Sequence, residues 1–484
     1  MEHNDALSRR RLLAHAGLIG TALALPGLAG CGGGSSSGST PQPSFGKVPA
    51  GLVSAAKKTS NKKLSVLSQQ QYLKSTDTAI DEAYKAFAKQ TGVTITNAGV
   101  NGDAGNLVAK QDAAVKAHNV QDMAFVTASR FVPQLHELDD IVDVSDVVAA
   151  MQQKYGAPTG IAEEVLKLDG KWWGIPFYTI GAGIFLRKDW LSAKGIKSAD
   201  LTTWENARDA ALEISDPSKN QYGWGVTVNR GGDANGFIEG VINTYGGAIN
   251  ADDGRKVIFD SPETIDAVSW ISDIFTNKKY KNMLPPGILS WTDTGNNEAW
   301  LAGTVGITLN QASLYAQSKD TKNPIYGKTA VVPGFAGPAT KTNLTTADLS
   351  AFVIFKNGKN PELGKLVAQY MATGDTFLSL VKRAGAGLVL PAWDKVWTSD
   401  PYYLNGDPIY KATHETVTKK LPLPTSTGLH FPQTASAGRN AVLQAYILTD
   451  MLGQMVQKGQ SAKDAVKTAN KRIIQTFEQL GIKQ

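Results

Sequence analysis

The sequence predicts an α/β protein that contains more than one folded unit. Residues 64–67 alternate like a β-strand, and residues 93–96 form a second strand-like run. Between them, apolar residues recur at the spacing of a buried helix stripe: Ile80, Ala83, Tyr84 and Phe87. This strand–helix–strand order is typical of an α/β sheet. A chain of 484 residues is also too long for a single hydrophobic core, since folded units average roughly 150 residues.

Composition and charge are those of a soluble globular protein, with 42% apolar and 19% charged residues. The net charge of +6 is spread along the chain without a Lys/Arg block, so nucleic acid is not expected as a partner. Cys31 is the only cysteine, which excludes an internal disulfide and a cysteine-based metal cluster. The six histidines are scattered without metal-ligand spacing. We therefore expect no cofactor and no metal.

The N-terminus has the parts of an export signal. Residues 8–13 read SRRRLL, an apolar run follows, and residues 28–31 read LAGC. The run is too short and too rich in glycine for a permanent membrane span. The SRRxLL core resembles a twin-arginine signal, and LAGC resembles a bacterial lipobox. These resemblances imply export and a lipid on Cys31, which would become the first residue of the mature protein.

A flexible tether follows Cys31. Residues 32–44, GGGSSSGSTPQPS, are rich in Gly and Ser and then contain Pro. As a random coil of about 13 residues, this segment spans roughly 20 Å. Its G-x-S-x-G match lies in low-complexity sequence without a preceding strand, so it does not predict a hydrolase. We expect the folded part of the chain to stay close to the membrane.

The stretch 168–190 predicts a connection between two units. Asp169-Gly170 between apolar runs is a strong hairpin signal. Pro176 cannot donate to a sheet ladder, and a long apolar strand follows it up to Arg187. We expect the chain to reverse at the Asp-Gly turn and to enter a new domain just after Pro176.

Polar residues follow the predicted strands of the first unit. Gln70, Gln71 and Tyr72 come directly after the first strand, and ligands of α/β sheets bind beyond the carboxyl ends of strands. Amide groups there suit sugar hydroxyls, although a solvated loop is the alternative. A helix over 107–117 and a strand over 122–126 are predicted next, followed by an exit loop over 127–131.

The middle of the chain predicts further strands and capped helices. Thr202 and Glu205 are predicted to form a capping box, and Asp233 and Asn235 precede a helix predicted over 237–245. The alternative for Asp233 and Asn235 is capping of that helix. Later caps are predicted at Ser261-Pro262 and Asn360-Pro361, strands at 305–310 and 349–355, and helices over 435–456 and 466–480.

The order of these segments resembles the extracellular solute-binding proteins that serve ABC importers. The resemblance covers roughly residues 60–480 and includes the Trp-Gly-Ile-Pro strand at 173–176, the loop Trp291 and the Gly-rich run 384–391. It implies a periplasmic-binding-protein-like fold of class II, with two α/β lobes joined by a hinge. The implied bounds are a signal over 1–31, a tether over 32–59, a first lobe of 60–177 plus 349–384, and a second lobe of 178–348 plus 385–484.

The resemblance also implies site residues. The hinge strand lines the cleft in that family, which points to Tyr178 and Thr179, and core packing is the alternative for Tyr178. Together with the strand-end argument, the predicted ligand-binding residues are Gln70, Gln71, Tyr72, Ser129, Arg130, Tyr178, Thr179, Asp233, Asn235, Trp291, Asn310, Gly385, Trp393 and His430. No catalytic residue is predicted.

The implied function is capture of a solute for a membrane permease by a lipid-anchored, monomeric protein on the periplasmic or extracytoplasmic face of a bacterial membrane. The chain contains ten Trp and 14 Tyr, and flat rings suit the apolar face of a mono- or oligosaccharide. A binding protein for a polyamine, a phosphodiester or a metal chelate is an alternative. An exported glycoside-active enzyme is another, but the acidic pairs lie in loop-like contexts that do not suggest two placed carboxylates.

Overall fold

A computed structural model of the protein describes residues 45–100, 107–159, 162–340, 347–372, 374–384, 388–404, 407–418 and 436–484. The strands are β1 Lys63–Gln69, β2 Thr94–Val100, β3 Met123–Thr127, β4 Lys167–Leu168, β5 Lys171–Trp172, β6 Ile175–Arg187, β7 Tyr222–Trp224, β8 Val305–Gln311, β9 Thr329–Val332, β10 Ala347–Ile354 and β11 Leu390–Pro391.

The helices of the first part of the chain are α1 Ala50–Lys58, α2 Lys74–Thr91, α3 Leu107–Lys116, α4 Ala128–Glu137, α5 Ser145–Tyr155, α6 Ala162–Leu166, α7 Lys188–Ala193, α8 Trp204–Glu213 and α9 Gly232–Tyr245. Those that follow are α10 Pro262–Thr276, α11 Asp293–Leu301, α12 Ser313–Asp320, α13 Pro361–Met371, α14 Gly374–Arg383, α15 Pro408–Thr418, α16 Ala437–Gln444, α17 Ile447–Lys458 and α18 Ala462–Gln479. None of these described helices has the length and apolar character needed to cross a bilayer.

The long strand β6 belongs to two sheets. Its first part pairs with β10 as far as Gly181 and also with β11; together with β3, β1 and β2 these strands form the first sheet. From Ala182 onward β6 pairs with β8 and β9, and β7 completes the second sheet beside β8. The sequence placed the change of domain just after Pro176, whereas the strand exchanges its sheet partners at Gly181–Ala182.

Two hydrophobic cores accompany the two sheets. The first core contains the apolar faces of α2, β3 and β10, and the second contains those of α8, α9, α10 and α16–α18. Residues between 388 and 417 pack in the first core, among them Trp393 and Tyr403. The domain bounds given by the resemblance assign those residues to the second lobe, so their packing favours a later boundary.

Local signals of the sequence correspond to local features of the structure. The predicted stripe of α2 is buried, and Gly92 ends that helix with a φ of 76°. Asp169 and Gly170 both have positive φ, 52° and 76°, in the turn between β4 and β5. The side chains of Ser261 and Asn360 accept hydrogen bonds from the first turns of α10 and α13, as predicted.

Three local predictions are wrong in detail. The cap of α8 is Thr203, which forms the capping box with Asn206, so the predicted pair is displaced by one residue. Helix α9 begins at Gly232 and not near residue 237. The predicted helix over 435–456 is interrupted between α16 and α17, where Tyr446 has a φ of 53°. The apolar spacing typical of a helix continues through Tyr446, so this spacing alone did not predict the interruption.

A buried carboxyl group follows α4 in the first sheet's half of the protein. Asp140 is 1% exposed, and its Oδ2 has no hydrogen-bond partner among the described residues. Burial, the largest cause, and the neighbouring Asp112 raise the pKa of Asp140, Lys116 opposes them, and the resulting pKa is about 7. The folded state therefore favours the protonated form of Asp140.

We expect Asp140→Asn to stabilise the protein above pH 7. The pKa of Asp140 is raised on folding from its usual value of 3.8, so its contribution to stability is full below about pH 4 and is lost as pH rises through 7. A neutral amide should recover roughly 2–4 kcal/mol at pH 8 and change little at pH 4. Urea denaturation of both proteins at the two pH values measures this. The exposed Asp139→Asn is the control, and an equal gain from both variants would contradict the assignment to Asp140.

Candidate functional site

The carboxyl ends of the parallel strands of both sheets point to the middle of β6. Strands β1 and β3 are parallel to each other and, through the antiparallel β10, run in the same direction as β6. Strands β7 and β8 are parallel to each other and run against β6. Both sheets therefore present strand carboxyl ends to one region around Gly181–Ala182, which we call the junction. In open α/β sheets ligands bind at such ends.

From the first sheet, the residues after β1 reach the junction. Gln71 accepts a hydrogen bond at its Oε1 from the hydroxyl of Tyr178, and its backbone N–H donates to Asp77 Oδ1 at 2.9 Å. Tyr178 itself is 1% exposed and packs against the rings of Phe125 and Phe177. In this structure Tyr178 is a core residue whose hydroxyl positions the amide of Gln71.

Tyr72 connects the two sides of the junction. Its hydroxyl donates to Oε1 of Gln317 on α12 at 2.8 Å. Its side chain is 44% exposed, which among the described residues makes it the one large hydrophobic side chain in the exposed class. The neighbouring Gln70 is exposed as well. An accessible ring beside the exposed amide of Gln70 is an arrangement that can bind a small polar solute with an apolar face.

The predicted exit loop after β3 is a helix. Thr127 ends the strand and α4 begins at Ala128, so Ser129 and Arg130 lie in the first helical turn; their side chains are not described. The end of β3 is joined to that of β1, because the N–H of Thr127 donates to Gln69 Oε1 at 2.8 Å. This hydrogen bond keeps the carboxyl ends of β1 and β3 side by side at the same edge of the sheet.

In the second sheet, a network of amides and carboxylates fixes the end of β8 to the start of α9. Asp233 Oδ2 accepts hydrogen bonds from Asn296 Nδ2 at 2.9 Å and from Asn310 Nδ2 at 3.2 Å. Asn310 Oδ1 in turn accepts from Ser313 Oγ at 2.9 Å. Asn296 and Asn310 are buried, so each amide needs such partners. Asp233 and Asn310 therefore hold each other in position here.

Asp293 explains why α9 starts earlier than the sequence predicted. Its carboxylate accepts hydrogen bonds from the backbone N–H groups of Gly232 at 2.7 Å and Asp233 at 3.0 Å. A carboxylate at a helix N-terminus satisfies unpaired N–H groups and opposes the positive end of the helix dipole. The cap lies about sixty residues along the chain from the helix, so no local signal identifies it.

Trp291 lies between the two cores. The half-buried ring packs against side chains of both, and its carbonyl oxygen accepts a hydrogen bond from Thr227 Oγ1 at 2.9 Å. A Cβ added to Gly295 would lie 2.8 Å from Cβ of Trp291, so only glycine lets α11 pack this closely on the tryptophan. The loop position predicted for Trp291 is confirmed, and contact of its ring with a solute stays a prediction.

Three other predicted site residues hold the protein together in this structure. Asn235 Nδ2 donates to the carbonyl oxygen of Leu443 at 2.8 Å, and Asn235 is 7% exposed. Trp393 Nε1 donates to the carbonyl oxygen of Pro176 at 3.2 Å, and Thr179 Oγ1 donates to that of Pro391 at 3.4 Å. Trp393 and Thr179 are each 1% exposed. Gly385 and His430, and the predicted lipidation residue Cys31, lie outside the described residues.

A second contact across the junction involves α4 and α16. Gln444 Nε2 donates to Gln134 Oε1 at 3.1 Å, and Arg255 pairs with Glu137 at 3.2 Å. Sequence reasoning did not select these residues or Gln317, Asp293 and Asn296. Polar side chains on a helix look solvent-exposed in a sequence, and only the packing of the two halves shows that they face a partner. No group of three or more His, Cys, Asp or Glu side chains in the described part of the chain is placed to hold a metal ion.

Comparisons with known proteins agree with this architecture. The model of the bacterial extracellular solute-binding protein family matches residues 72–376. A protein of Deinococcus radiodurans described as an ABC transporter-binding protein is 23% identical over 367 residues, which cover 74% of this chain and 83% of that protein.

Solved structures of two solute-binding proteins share the fold. One is an ABC transporter solute-binding protein of Thermotoga lettingae bound with alpha-D-tagatose, with a TM-score of 0.69 and 17% identity over 86% of this chain and all of that one. The other is maltose-bound MalE3 of T. maritima, with a TM-score of 0.71 and 16% identity over 85% of this chain and 98% of that one. The α/β fold with a shared strand is thus the fold of these proteins, and the match over most of the folded chain shows that the protein belongs to the family of bacterial extracellular solute-binding proteins.

Proposed function

We propose that the protein binds a mono- or oligosaccharide or a sugar alcohol at the junction and delivers it to the permease of an ABC importer. The observation that carries this proposal is the Tyr72–Gln317 hydrogen bond, which joins the two sides where the strand carboxyl ends meet. A solute that contacts both sides there would favour the state in which they are close. The tagatose and maltose bound by the two similar structures support a carbohydrate as the ligand class.

The chemistry of the accessible residues supports the same class. Gln70 and Gln317 offer neutral amides that can both donate to and accept from hydroxyl groups. The amide of Gln71 is held beside them by Tyr178 and by the carbonyl oxygen of Gln69. The rings of Tyr72 and Trp291 offer flat surfaces for the apolar face of a sugar ring. Of the predicted site residues whose side chains are described, five are exposed or partly exposed: Gln70, Gln71, Tyr72, Asp233 and Trp291.

We also propose that the two sheets mark two lobes that hinge near Gly181–Ala182. Residues 388–417 then belong with the first lobe and residues 437–482 with the second, in agreement with the core each group joins. The family implies an exported protein. Export through a twin-arginine signal and lipidation of Cys31 are part of the proposal, and the mass of the mature N-terminal peptide tests the lipidation.

We expect a panel of sugars and sugar alcohols to raise the melting temperature of the protein that lacks residues 1–31. A ligand present at 100 times its dissociation constant stabilises the folded state by about 2.7 kcal/mol. The measurement is a thermal shift assay that also includes polyamines, organophosphates and metal chelates. A shift with one of these alone would assign the site to another solute class, and conversion of a sugar into products would make the protein an enzyme.

Trp291→Ala should weaken binding of the ligand that this panel identifies by roughly 10-fold or more, because the ring would lose its contact with the solute. Trp270→Ala is the matched control, since Trp270 is also half-buried but packs on the second core only. Calorimetric titration of both variants measures the difference. Equal affinity of the two variants would show that Trp291 is only a packing residue.

A further inference from the structure

The chain enters the folded part of the protein along the outer surface of α2. The N–H of Val48 donates to Gln90 Oε1 at 2.9 Å, and Gln90 Nε2 donates to the carbonyl oxygen of Gly46 at 3.3 Å. The ring of Phe45 lies 4.5 Å from the guanidinium group of Arg383. Residues 45–48 are therefore fixed on the protein surface.

Exposed lysines surround that place. Lys85 and Lys89 lie one turn apart on the exposed side of α2, and Lys47 lies in the docked segment. None of the three forms an ion pair with another described residue. Helix α1 packs against α2 and ends in the exposed Lys57 and Lys58. We call the surface around Lys47, Lys85 and Lys89 the basic face.

The acidic residues of α2 point to other partners. Asp77 accepts from the N–H of Gln71, Asp81 accepts from Asn97 Nδ2 at 2.7 Å, and Glu82 pairs with Arg383. The exposed carboxylate of Asp375 lies beside Gly46 and reduces the charge of the basic face without cancelling it. The net charge presented around the start of the docked segment is therefore positive.

We propose that the basic face binds the anionic phospholipid headgroups of the membrane to which the protein is tethered. Fourteen residue steps separate Cys31 from Phe45, a distance of at most about 50 Å even when fully extended. A lipid on Cys31 would thus keep the basic face close to the bilayer, where lysines are attracted to anionic headgroups. A lipid chain and a basic surface together hold a protein at a membrane more firmly than either alone. This contact is separate from solute binding.

The test is sedimentation of the unlipidated chain, residues 32–484, with vesicles of phosphatidylcholine containing about 30% phosphatidylglycerol. We expect binding to these vesicles, little binding to pure phosphatidylcholine, and release in about 0.5 M salt, because salt screens the attraction. The triple variant Lys47→Gln, Lys85→Gln, Lys89→Gln should bind roughly 100-fold more weakly, since each lysine near an anionic surface contributes a factor of about five.

The matched control is the triple variant Lys463→Gln, Lys467→Gln, Lys471→Gln. It removes the same charge from an exposed stripe of α18, a helix of the second core. We expect this variant to bind vesicles like the unmodified chain. An equal loss of vesicle binding in both triple variants would show that only the net charge of the protein matters. Equal binding to both kinds of vesicle would show that the protein does not recognise anionic headgroups. Either result would overturn the proposal. Because the chain in this assay carries no lipid, the outcome does not depend on modification of Cys31.

Discussion

Replacing Arg439 with methionine should lower the free energy of unfolding by about 3–5 kcal/mol. Arg439 on α16 and Glu239 on α9 are 2% and 5% exposed, and two hydrogen bonds of 2.6 and 2.5 Å join them. Methionine fills much of the same space but leaves the Glu239 carboxylate in the interior without its counter-charge. Burial raises the pKa of Glu239, and Arg439 opposes this effect. Urea denaturation at pH 7 measures the loss.

The matched control is Arg472→Met. Arg472 also pairs with a carboxylate, that of Asp450 at 3.1 Å, but its side chain is 43% exposed. An exposed pair contributes only about 0–1 kcal/mol. The double variant Glu239→Met, Arg439→Met should recover much of the stability, because it removes both charges from the interior. A loss from Arg439→Met as small as that from Arg472→Met would show that the buried pair is not needed to place α16.

The buried pair also bears on the junction. Helix α16 is held to α9 by Arg439 and by the bond between Asn235 and Leu443, and its end reaches α4 of the first half through Gln444. Loss of the pair should therefore loosen one of the two contacts across the junction. We expect Arg439→Met to weaken solute binding as well as folding, whereas Arg472→Met should leave solute affinity unchanged.

Tyr178→Ala should destabilise the protein by about 3–5 kcal/mol, which is the usual cost of truncating a buried aromatic ring. The ring is 1% exposed and lies 5.0 Å from that of Phe177 and 5.8 Å from that of Phe125. Sequence reasoning placed Tyr178 in the ligand cleft, where truncation would cost little stability. The alternative for Tyr178 is core packing, which the observed burial favours, and thermal or urea denaturation distinguishes the two.

Tyr178→Phe separates the ring from its hydroxyl group. The ring would remain packed, and the loss of the bond to Gln71 Oε1 should cost about 1 kcal/mol. We also expect weaker solute binding, because the Gln71 amide would no longer be held in one orientation. If Tyr178→Phe preserved affinity and Tyr178→Ala preserved stability, the residue would be neither a positioning group nor a core residue.

Sequence reasoning predicted most elements of the fold because each depends on a few neighbouring residues. The α2 stripe, the Asp169-Gly170 turn and the caps at Ser261 and Asn360 are such local patterns. The order of segments along the chain also predicted the family. For the site it pointed to the ends of β1 and β8 and to the loop of Trp291, because ligands of α/β sheets bind beyond strand ends, and solute binding there stays a prediction.

What each site residue does could not be predicted in the same way. Gln71 and Tyr178 are more than a hundred residues apart, and so are Tyr72 and Gln317. The start of α9 depends on Asp293, which lies too far from that helix in the sequence for a local pattern to identify it. Whether a polar side chain is buried and paired or remains accessible to a solute depends on such distant partners.

By itself, then, the sequence determined the α/β class, the strands and most helix ends, since backbone preference and apolar spacing act over a few residues. The tertiary structure alone decided where β6 exchanges partners, which amides satisfy one another in the interior, and which few remain accessible at the junction. The physical reason is that a buried polar group must form a hydrogen bond with whichever group the fold brings next to it. That partner can lie far away in the sequence, so no local sequence pattern identifies it.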